Sequence, residues 1–507
     1  MTIAVLVGAA LAYALGMRRA ARRGTSWPAH RAVLFYALGL GSYAVIELGF
    51  LGTWSAELRW AFVARIALLL MAVPALIALG RPLDLARAGL SVTVLESHHG
   101  HDPRFRGELI HPRGVRALRS LGLESALLQG GAVPVQGFAV TPGPGLRTAL
   151  LPYLERWGQG LGVDHQRMVA SLREAVRSRP GITLRQGEPV VDVLRDGTRV
   201  TGVRLRNGET LHAGLVIGAD GRQSKVRAAL GLEADVKLLS YSVIASVQGA
   251  LLPWQGFGHV FLGAPGPVLA YPYGDGLVRL CIDVPLEAPR GRGPMLKWVE
   301  QHYAAAMPQP LRDAVLSSLA AHPLEACATH SVHTRDCVTP GAALVGDAGG
   351  CSHPLTATGM TAAMNDVMEL AQALTTYGPG DRALEVYQQR RYRFVRAREV
   401  FTEALYDVFR ATDAGSEALK AGTFEYWRRS SAARARSMGI LSGEDSRRRT
   451  FVTEYAKVTG RSALRTWKQP ARTRALLTTS FLRIRHTAVR TAVSWARERR
   501  APRRGPA

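Results

Sequence analysis

The chain has 507 residues, of which 47% are hydrophobic and 20% charged, with 52 Gly, 27 Pro and 4 Cys. This composition excludes collagen-like, low-complexity and disulfide-stapled proteins. The charge is unusual, because 64 Lys and Arg residues against 39 Asp and Glu residues give a formal net charge of +25. Residues 427–507 hold 21 basic and 4 acidic side chains, so they supply +17 of this charge. We therefore expect the C-terminal region to meet an anionic partner, either a nucleic acid or a membrane surface.

Three apolar stretches open the chain, at residues 2–16, 32–52 and 60–79. The second and third are long enough to cross a hydrocarbon core of about 30 Å, whereas the first is shorter and its span is left open. The arginine-rich loop 18–31 should stay in the cytoplasm, which also places the chain after residue 80 there. The sequence predicts two or three transmembrane helices in a multi-pass membrane protein whose catalytic part faces the cytoplasm. A buried helical hairpin is the soluble alternative.

Alternating strands and helices begin near residue 86. Residues 91–95 form a short β-branched run that Glu96 closes. In dinucleotide-binding folds, the acid at the end of the second strand accepts hydrogen bonds from ribose hydroxyls. Glu96 is therefore a candidate ligand, although many parallel strands end in an acid.

Two later segments share the pattern of an apolar strand, a Gly-Asp turn and a helix. The first is Leu215–Arg227 (LVIGADGRQSKVR), which contains Asp220, and the second is Ala342–Met360 (AALVGDAGGCSHPLTATGM), which contains Asp347. An acid in such a turn can hold a ribityl hydroxyl, and the glycines let backbone N–H groups approach a phosphate or a flavin ring. A Gly-Asp turn is also a common way to leave a strand. The occurrence of both turns in this order favours the ligand interpretation.

With these turns, residues 86–465 or so resemble the FAD-dependent monooxygenases of the aromatic-hydroxylase fold, and among them the squalene monooxygenases (squalene epoxidases). The segment Arg104–Val115 is similar to that family's R-x-x-G-E-L-x-x-P-G-G pattern, and Gly258–Pro267 followed by Arg279–Pro285 points to the squalene subgroup. The resemblance implies an α/β fold with an FAD/NAD(P)-binding Rossmann-like domain and a β-sheet substrate domain. The candidate cofactor-binding residues, six from the resemblance and Asp220 from its turn, are Glu96, Ser97, Arg104, Arg167, Asp220, Asp347 and Met360.

The chain departs from the family in its phosphate loop. A G-x-G-x-x-G loop should precede the strand at 91–95, but the corresponding positions read Val73, Ala75 and Ala78. Residues 31–82 instead resemble a membrane segment of the cytochrome oxidase assembly factors. A fusion that replaced the first βα unit is one explanation.

Three further departures lie near the expected flavin. Ala357 and Thr358 add side chains where the family has glycines. His111 replaces a family glutamine, and Phe138 stands where the eukaryotic enzymes carry a tyrosine. The pair of polar side chains that the family has at these two positions would therefore lack its tyrosine hydroxyl. We expect this change to affect the choice of substrate more than the type of reaction.

The resemblance implies a reaction in which a flavin C4a-hydroperoxide passes one oxygen atom from O₂ to an apolar polyene such as squalene. NAD(P)H or a separate reductase would supply the electrons. No catalytic side chain is assigned, and no metal is expected because the four cysteines lack metal-site spacing. Phe261, Tyr271 and Tyr273 are candidate walls of the substrate site, with core packing the favoured interpretation. Two alternatives stay open: a flavin-dependent isoprenoid reductase, and a catalytically silent membrane protein that has lost FAD.

The sequence predicts a run of helices in the C-terminal region. Near residues 471–500, apolar side chains such as Leu477, Phe481 and Ile484 recur at helical spacing among arginines. A basic amphipathic helix of this kind can lie in the membrane interface, and no zinc finger, RNP motif or helix-turn-helix supports nucleic-acid binding. The predicted organisation is a membrane region at 1–82, an FAD-binding domain at 83–240 and 325–400, a substrate domain at 241–324, and a membrane-associated helical region at 401–507.

Overall fold

The computed structural model describes residues 2–22, 32–33, 35–36, 91–99, 108–179 and 181–480. It divides into two compact units, Met1–Thr93 with Pro180–Thr183, and Val94–Arg179 with Leu184–Ala507. In the first unit, helix α1 (Thr2–Arg22) carries Tyr13, whose ring stacks on that of Phe35 with centroids 3.8 Å apart.

No helix in the described part of the chain combines the length and the apolar character needed to cross a membrane. The predicted spans at 32–52 and 60–79 lie outside the described residues, apart from residues 32, 33, 35 and 36.

The largest sheet of the second unit has seven strands in the order β16-β12-β15-β14-β13-β4-β5. Neighbouring strands are antiparallel except for the parallel pair β13 and β4. The strands are β4 (Gly137–Thr141), β5 (Ala149–Pro152), β12 (Ala234–Gln248), β13 (Gly258–Phe261), β14 (Val268–Gly274), β15 (Leu277–Val284) and β16 (Glu325–Thr334).

Four smaller sheets accompany it among the described residues. Their orders are β1-β7, β10-β9-β8, β11-β18-β17 and β2-β6-β3. The strands are β1 (Val92–Glu96), β2 (Leu109–Ile110), β3 (Val133–Val135), β6 (Gly160–Gly162), β7 (Ile182–Gln186), β8 (Val190–Asp196), β9 (Arg199–Leu205), β10 (Thr210–His212), β11 (Val216–Gly218), β17 (Val338–Thr339) and β18 (Ala342–Leu344).

The helices of the second unit cover the sheets and form the C-terminal end of the described chain. Residues 470–480 are also helical. The bounds are α2 (Pro112–Ser120), α3 (Glu124–Gln129), α4 (His165–Arg177), α5 (Lys225–Ala229), α6 (Arg292–Tyr303), α7 (Gln309–Ala321), α8 (Gly359–Tyr377), α9 (Asp381–Arg410), α10 (Ala414–Arg429), α11 (Ser431–Leu441) and α12 (Arg448–Thr466).

The seven-stranded sheet lies between two helical layers, because successive side chains of a strand point to opposite faces. Phe261 and the alternate residues of β14 and β15 pack on α6 and α7 in one apolar cluster. Val260, Phe138 and Leu269 face the other way and join a cluster with α9, α10 and α11. The C-terminal helices therefore pack on the second face of this seven-stranded sheet. We call it the substrate sheet, because it contains the strands of the predicted substrate domain. The domain boundaries given above stay a prediction.

Candidate functional site

The two Gly-Asp turns lie at the same edge of one sheet. Strands β11 and β18 are parallel neighbours, with Gly218 opposite Leu344, so the turns that follow them leave the sheet side by side. The buried Arg227 ties them together: its Nη1 donates to the Ala348 carbonyl at 2.8 Å, and its Nη2 donates to the Arg222 carbonyl at 2.8 Å. Sequence analysis gave Arg227 no role, because nothing in the pattern says that this side chain crosses to the second turn.

In the first turn, the carboxylate of Asp220 accepts hydrogen bonds from residues that directly follow the turn. The Ser224 hydroxyl donates to Asp220 Oδ1 at 2.5 Å, and the Val226 N–H donates to Oδ2 at 3.0 Å. Ser224 in turn accepts from the Arg227 N–H and caps α5. The Asp220 carboxylate therefore closes the start of this short helix.

The second turn leaves its acid open. Within the described part of the chain, no hydrogen bond ends on the Asp347 carboxylate. The turn is anchored instead by the Gly346 N–H, which donates to Asp366 Oδ2 at 3.0 Å, and Arg391 Nε donates to the same oxygen at 2.9 Å. Gly346 adopts φ +60°, and a Cβ there would lie 3.1 Å from the Ala363 side chain. This position therefore needs glycine for both its conformation and its contact with α8.

Helix α8 begins close to this turn with an open N-terminus. No side chain caps it, so its first N–H groups have no partner from Thr358. The preceding Ala357 has φ +51°, the left-handed conformation that the family's glycine would adopt without strain. The loop thus has a left-handed alanine at a position where the family has a glycine.

A small pocket opens against the first turn of α8, and its empty space of about 420 Å³ includes open solvent. It is lined by Thr358, Thr361 and Arg398, together with aromatic residues of α9 and α12. The Arg398 Nε is buried and has no hydrogen-bond partner among the described residues, and burial lowers the pKa of Arg398. An open carboxylate, an uncapped helix N-terminus and an unsatisfied guanidinium N–H fit the hydroxyls and acceptor atoms of a flavin. The described residues therefore fit the ring and ribityl part of FAD.

Glu96 ends β1 as the sequence predicts. Its carboxylate accepts from the His98 N–H at 3.0 Å and from the Ser97 hydroxyl at 3.2 Å, and it pairs with Arg173 of α4 at 3.2 Å. Partial burial acts to raise the pKa of Glu96, but the bonds from His98 and Ser97 and the charge of Arg173 hold the pKa below its usual range. Glu96 is therefore an ionised acceptor.

The remaining predicted ligands are dispersed. Arg167, in the first turn of α4, pairs with Asp275 in the turn between β14 and β15. Met360 lies half-buried in the first turn of α8, against the apolar cluster of α2 and α4. Arg104 and the positions of the missing phosphate loop lie outside the described residues. The roles of all seven candidate ligands stay a prediction.

A larger cavity, of about 920 Å³, lies between the substrate sheet and the C-terminal helices and is partly open to solvent. It reaches Leu355 and Thr356, directly before the start of α8. The wall is mostly apolar, and its apolar side chains include Phe138, Leu151, Val260, Leu355, Phe401, Leu405, Phe409, Leu419, Trp427, Leu441 and Phe451, with Tyr455 also in the wall.

The candidate wall residues from the sequence do not line this cavity. Phe261 belongs to the opposite face of the sheet, among α6 and α7. Tyr271 and Tyr273 are buried, and their hydroxyls lie 3.4 Å from Glu108 and Ser246. Core packing, the favoured interpretation, is what the structure shows for all three. The wall of this cavity comes largely from the helices after residue 400.

The acid in the cavity wall is neutralised by its neighbours. Glu454 Oε1 lies 2.9 Å from Arg436 Nε and 2.8 Å from Lys457 Nζ, and the Tyr426 hydroxyl donates to Oε2. Burial acts to raise the pKa of Glu454, but these three partners lower it overall. Among the described residues, no group of three or more His, Cys, Asp or Glu could hold a metal ion.

Comparisons with known proteins identify the families to which the chain is similar. The family model for squalene epoxidase matches residues 212–477. "Squalene epoxidase 3" of Arabidopsis thaliana is 30% identical over 391 residues, which cover 74% of this chain and 74% of that protein. "Squalene epoxidase 2, mitochondrial" of the same plant is 29% identical over 396 residues, covering 74% of this chain and 66% of that protein.

The fold is shared with a solved flavoprotein. The crystal structure of pqsL, described as a probable FAD-dependent monooxygenase from Pseudomonas aeruginosa, has a TM-score of 0.55 at 20% identity and covers 65% of this chain and 92% of that chain. This likeness supports the predicted Rossmann-like α/β fold.

The N-terminal part is similar to a different family. A model for the cytochrome c oxidase caa3 assembly factor matches residues 11–132, in agreement with the predicted resemblance of residues 31–82. The squalene epoxidase match covers half of the chain, and it confirms both the predicted family and the predicted class of FAD-dependent monooxygenase. The chain belongs to the squalene epoxidase family.

Proposed function

We propose that the chain inserts one oxygen atom from O₂ into an alkene of an apolar polyene such as squalene, with FAD as cofactor. The observation that carries this proposal is the position of the large apolar cavity. It ends at Leu355 and Thr356, so a polyene inside it would approach the same helix start that fits a flavin ring. Relatives named for squalene support the choice of substrate.

Three groups that would hold FAD have polar atoms free of local partners, and the fourth, Glu96, is the ionised acid at the end of β1. Asp347 would accept hydrogen bonds from the ribityl chain, the N-terminus of α8 and Arg398 would meet the acceptor atoms of the ring, and Glu96 would take the ribose. When bound, the flavin supplies the activation of O₂ and the transfer of one oxygen atom.

The chain's own tasks are to orient the polyene and to exclude water. Phe138, Leu405 and Trp427 give the cavity an apolar wall from both the sheet and the helices. The Glu454 carboxylate is held by Arg436, Lys457 and Tyr426, so it presents no unpaired charge to a hydrocarbon. NAD(P)H, directly or through a separate reductase, would supply the electrons.

The test is a purification followed by a turnover assay. Detergent-purified full-length protein should keep flavin absorption bands after gel filtration. With NADPH, a flavin reductase, O₂ and squalene, it should form a product heavier by one oxygen atom, and ¹⁸O₂ should label that product. Flavin retention without oxygenation would favour the isoprenoid reductase, and absence of flavin would favour the silent protein.

We also propose that the C-terminal region lies on a membrane, with the catalytic part in the cytoplasm. Near the end of α12 and in the helical segment 470–480, the exposed side chains are apolar and basic together: Leu464 is 75% exposed, Trp467 67% and Leu477 54%, and Lys468 lies over the Trp467 ring. This pattern suits an interface with anionic lipid.

A synthetic peptide of residues 464–500 tests this membrane proposal. Phe481→Glu with Ile484→Glu should weaken its partitioning into anionic vesicles by more than about a hundredfold, because burial of each side chain contributes about 1.5–3 kcal/mol. Tighter binding to duplex DNA than to anionic vesicles at physiological salt would contradict the assignment.

A further inference from the structure

The loop between the two cavities is held at Thr356. Residues 354–358 connect the Asp347 turn to α8, and Thr356 lines the large cavity while Thr358 lines the smaller one. His111 Nε2 lies 2.8 Å from the Thr356 carbonyl oxygen. In addition, the His111 N–H donates to the Thr361 hydroxyl at 2.9 Å, in the first turn of α8. One residue therefore fixes both the loop and the helix start.

The hydrogen-bond roles of His111 follow from its partners. A carbonyl oxygen can only accept, so His111 Nε2 carries the proton and donates to Thr356. In a neutral imidazole the other nitrogen is then an acceptor, and the Tyr153 hydroxyl, 2.7 Å from Nδ1, donates to it. The chain of bonds runs in one direction from Tyr153 through His111 to the loop.

Both members of this pair are buried, His111 fully and Tyr153 to 8% exposure. A buried donor or acceptor that loses its partner carries the full cost of its desolvation, so the pair is held in this arrangement. Burial lowers the pKa of His111 to about 4, and the ring stays neutral near pH 7.

The lost hydroxyl of Phe138 is thereby accounted for. The Phe138 ring lies 5.8 Å from the His111 ring and lines the cavity, so it forms apolar wall at this point. Tyr153, just after β5, brings a hydroxyl to the same histidine without lining the cavity. In this chain the wall and the hydrogen-bond donor are two different residues.

On the other side of the loop, His353 provides a second anchor. Its Nδ1 accepts from the Leu355 N–H at 3.1 Å, and its Nε2 lies 3.1 Å from Asp283 Oδ1 on β15. The Asp283 carboxylate also accepts from Ser240 at 2.5 Å and from Tyr406 at 2.8 Å. The loop is thus fixed to the substrate sheet at its first residues, and His111 fixes its end.

We propose that Tyr153 and His111 form a positioning pair that sets loop 354–358 in the conformation that receives the flavin ring. The inference rests on the proposed function, because it assumes that the flavin lies at the start of α8. It assigns neither residue a chemical step.

Three variants of the full-length protein test the pair. His111→Leu removes both hydrogen bonds, Tyr153→Phe removes only the donor, and His111→Gln keeps one donor and one acceptor. We expect His111→Leu to weaken FAD binding by about tenfold or more, equivalent to about 1.4 kcal/mol. Tyr153→Phe should weaken it less, and His111→Gln should stay within about twofold of wild type.

The visible circular dichroism of the bound flavin adds a signature of ring environment. It should change in His111→Leu and be restored in His111→Gln. Wild-type affinity and dichroism in both His111→Leu and Tyr153→Phe would overturn the proposal, as would equal impairment in His111→Gln and His111→Leu. If His111→Leu does not fold, Tyr153→Phe against wild type decides the question.

Hydrogen exchange of the flavin-free protein separates this inference from the proposed function. Amides of residues 355–361 should exchange faster in Tyr153→Phe than in wild type and at the wild-type rate in His111→Gln. Unchanged exchange in Tyr153→Phe would contradict the pair. If the variants show these exchange differences but the wild-type protein binds no FAD, the cofactor assignment is wrong. The flavin-receiving role of the loop is then wrong as well.

Discussion

The two Gly-Asp turns share a sequence pattern but differ in what their acids do. Asp220 accepts hydrogen bonds from Ser224 and Val226 and closes its own helix. Asp347 accepts none from the described residues, because Asp366 holds its turn instead. A carboxylate whose oxygens are used locally stabilises a helix start, whereas an open one can bind a ligand. The motif predicts where an acid stands, and its neighbours decide its role.

The segments after the turns differ as well. After Asp220 the chain enters α5 within five residues, and Ser224 caps that helix. After Asp347 it passes through loop 354–358, which depends on His353 and His111 before α8 begins. The first turn is self-contained, and the second is stabilised by distant parts of the chain.

The largest expected effect is an acid sensitivity that only the second turn carries. The folded-state pKa of His111 is lowered to about 4 from an ordinary value of 6.5, so between these two pH values the unfolded chain binds a proton that the folded chain does not. The contribution of His111 to the free energy of unfolding is therefore fully present above pH 6.5 and is lost as the pH falls toward 4. The shift corresponds to on the order of 3 kcal/mol.

His111→Gln should remove this contribution. Its free energy of unfolding, measured in urea, should fall less than that of wild type between pH 7 and pH 4.5. His259 has its pKa lowered to about 4 by burial and remains in the variant, so part of the pH dependence should persist. Identical pH profiles for the two proteins would show that His111 is not buried and neutral.

Asp347→Ala should impair cofactor binding more than folding. The open carboxylate would bind the ribityl hydroxyls, and a hydrogen bond to a charged group contributes about 1.5–3 kcal/mol. We expect FAD affinity, measured by fluorescence titration of the stripped protein, to fall between about tenfold and 150-fold. Full flavin retention would mean that this turn, like the first, is only a strand exit.

Asp220→Ala is the matched control, with the opposite pattern. It removes two hydrogen bonds from the start of α5, and loss of a helix cap costs about 0.5–2 kcal/mol of stability. The urea midpoint should drop while the FAD affinity of the folded fraction stays within about threefold of wild type. A larger loss of FAD affinity in Asp220→Ala than in Asp347→Ala would reverse the comparison.

Much of this difference could not be read from the sequence, for a physical reason. The two turns and the parallel strands before them were predictable, because short apolar runs and glycine turns are local features. Whether an acid's oxygens are occupied depends on tertiary neighbours. Asp366 and Arg391, which hold the second turn, come from helices after it.

The cavity shows the same limit. The resemblance implied a β-sheet substrate domain, but it could not say which residues face which helical layer. Phe261 packs on α6 and α7, whereas its neighbour Val260 lines the cavity. The wall residues Leu405 and Trp427 lie in a segment predicted as membrane-associated helices, since helical periodicity alone does not identify what a helix covers.

The smallest expected effect concerns Ala357, one of the two positions in the loop where a side chain stands in place of a family glycine. Ala357 has φ +51° and Ala411, just after α9, has φ +47°, so both carry the cost of a left-handed alanine, about 1–2 kcal/mol. Glycine relieves this strain but adds about 0.4–1 kcal/mol of unfolded-state entropy, and at Ala357 it also removes a methyl group that packs on the core. Ala357→Gly and Ala411→Gly should therefore each change stability by less than about 1 kcal/mol.

Only Ala357 lies in the loop that receives the flavin, so Ala357→Gly should tighten FAD binding by a few-fold while Ala411→Gly leaves it unchanged. Equal FAD affinities for the two variants and wild type would show that the methyl group does not face the cofactor, and weaker binding in Ala357→Gly would show that the loop's rigidity matters more than the space the methyl group occupies.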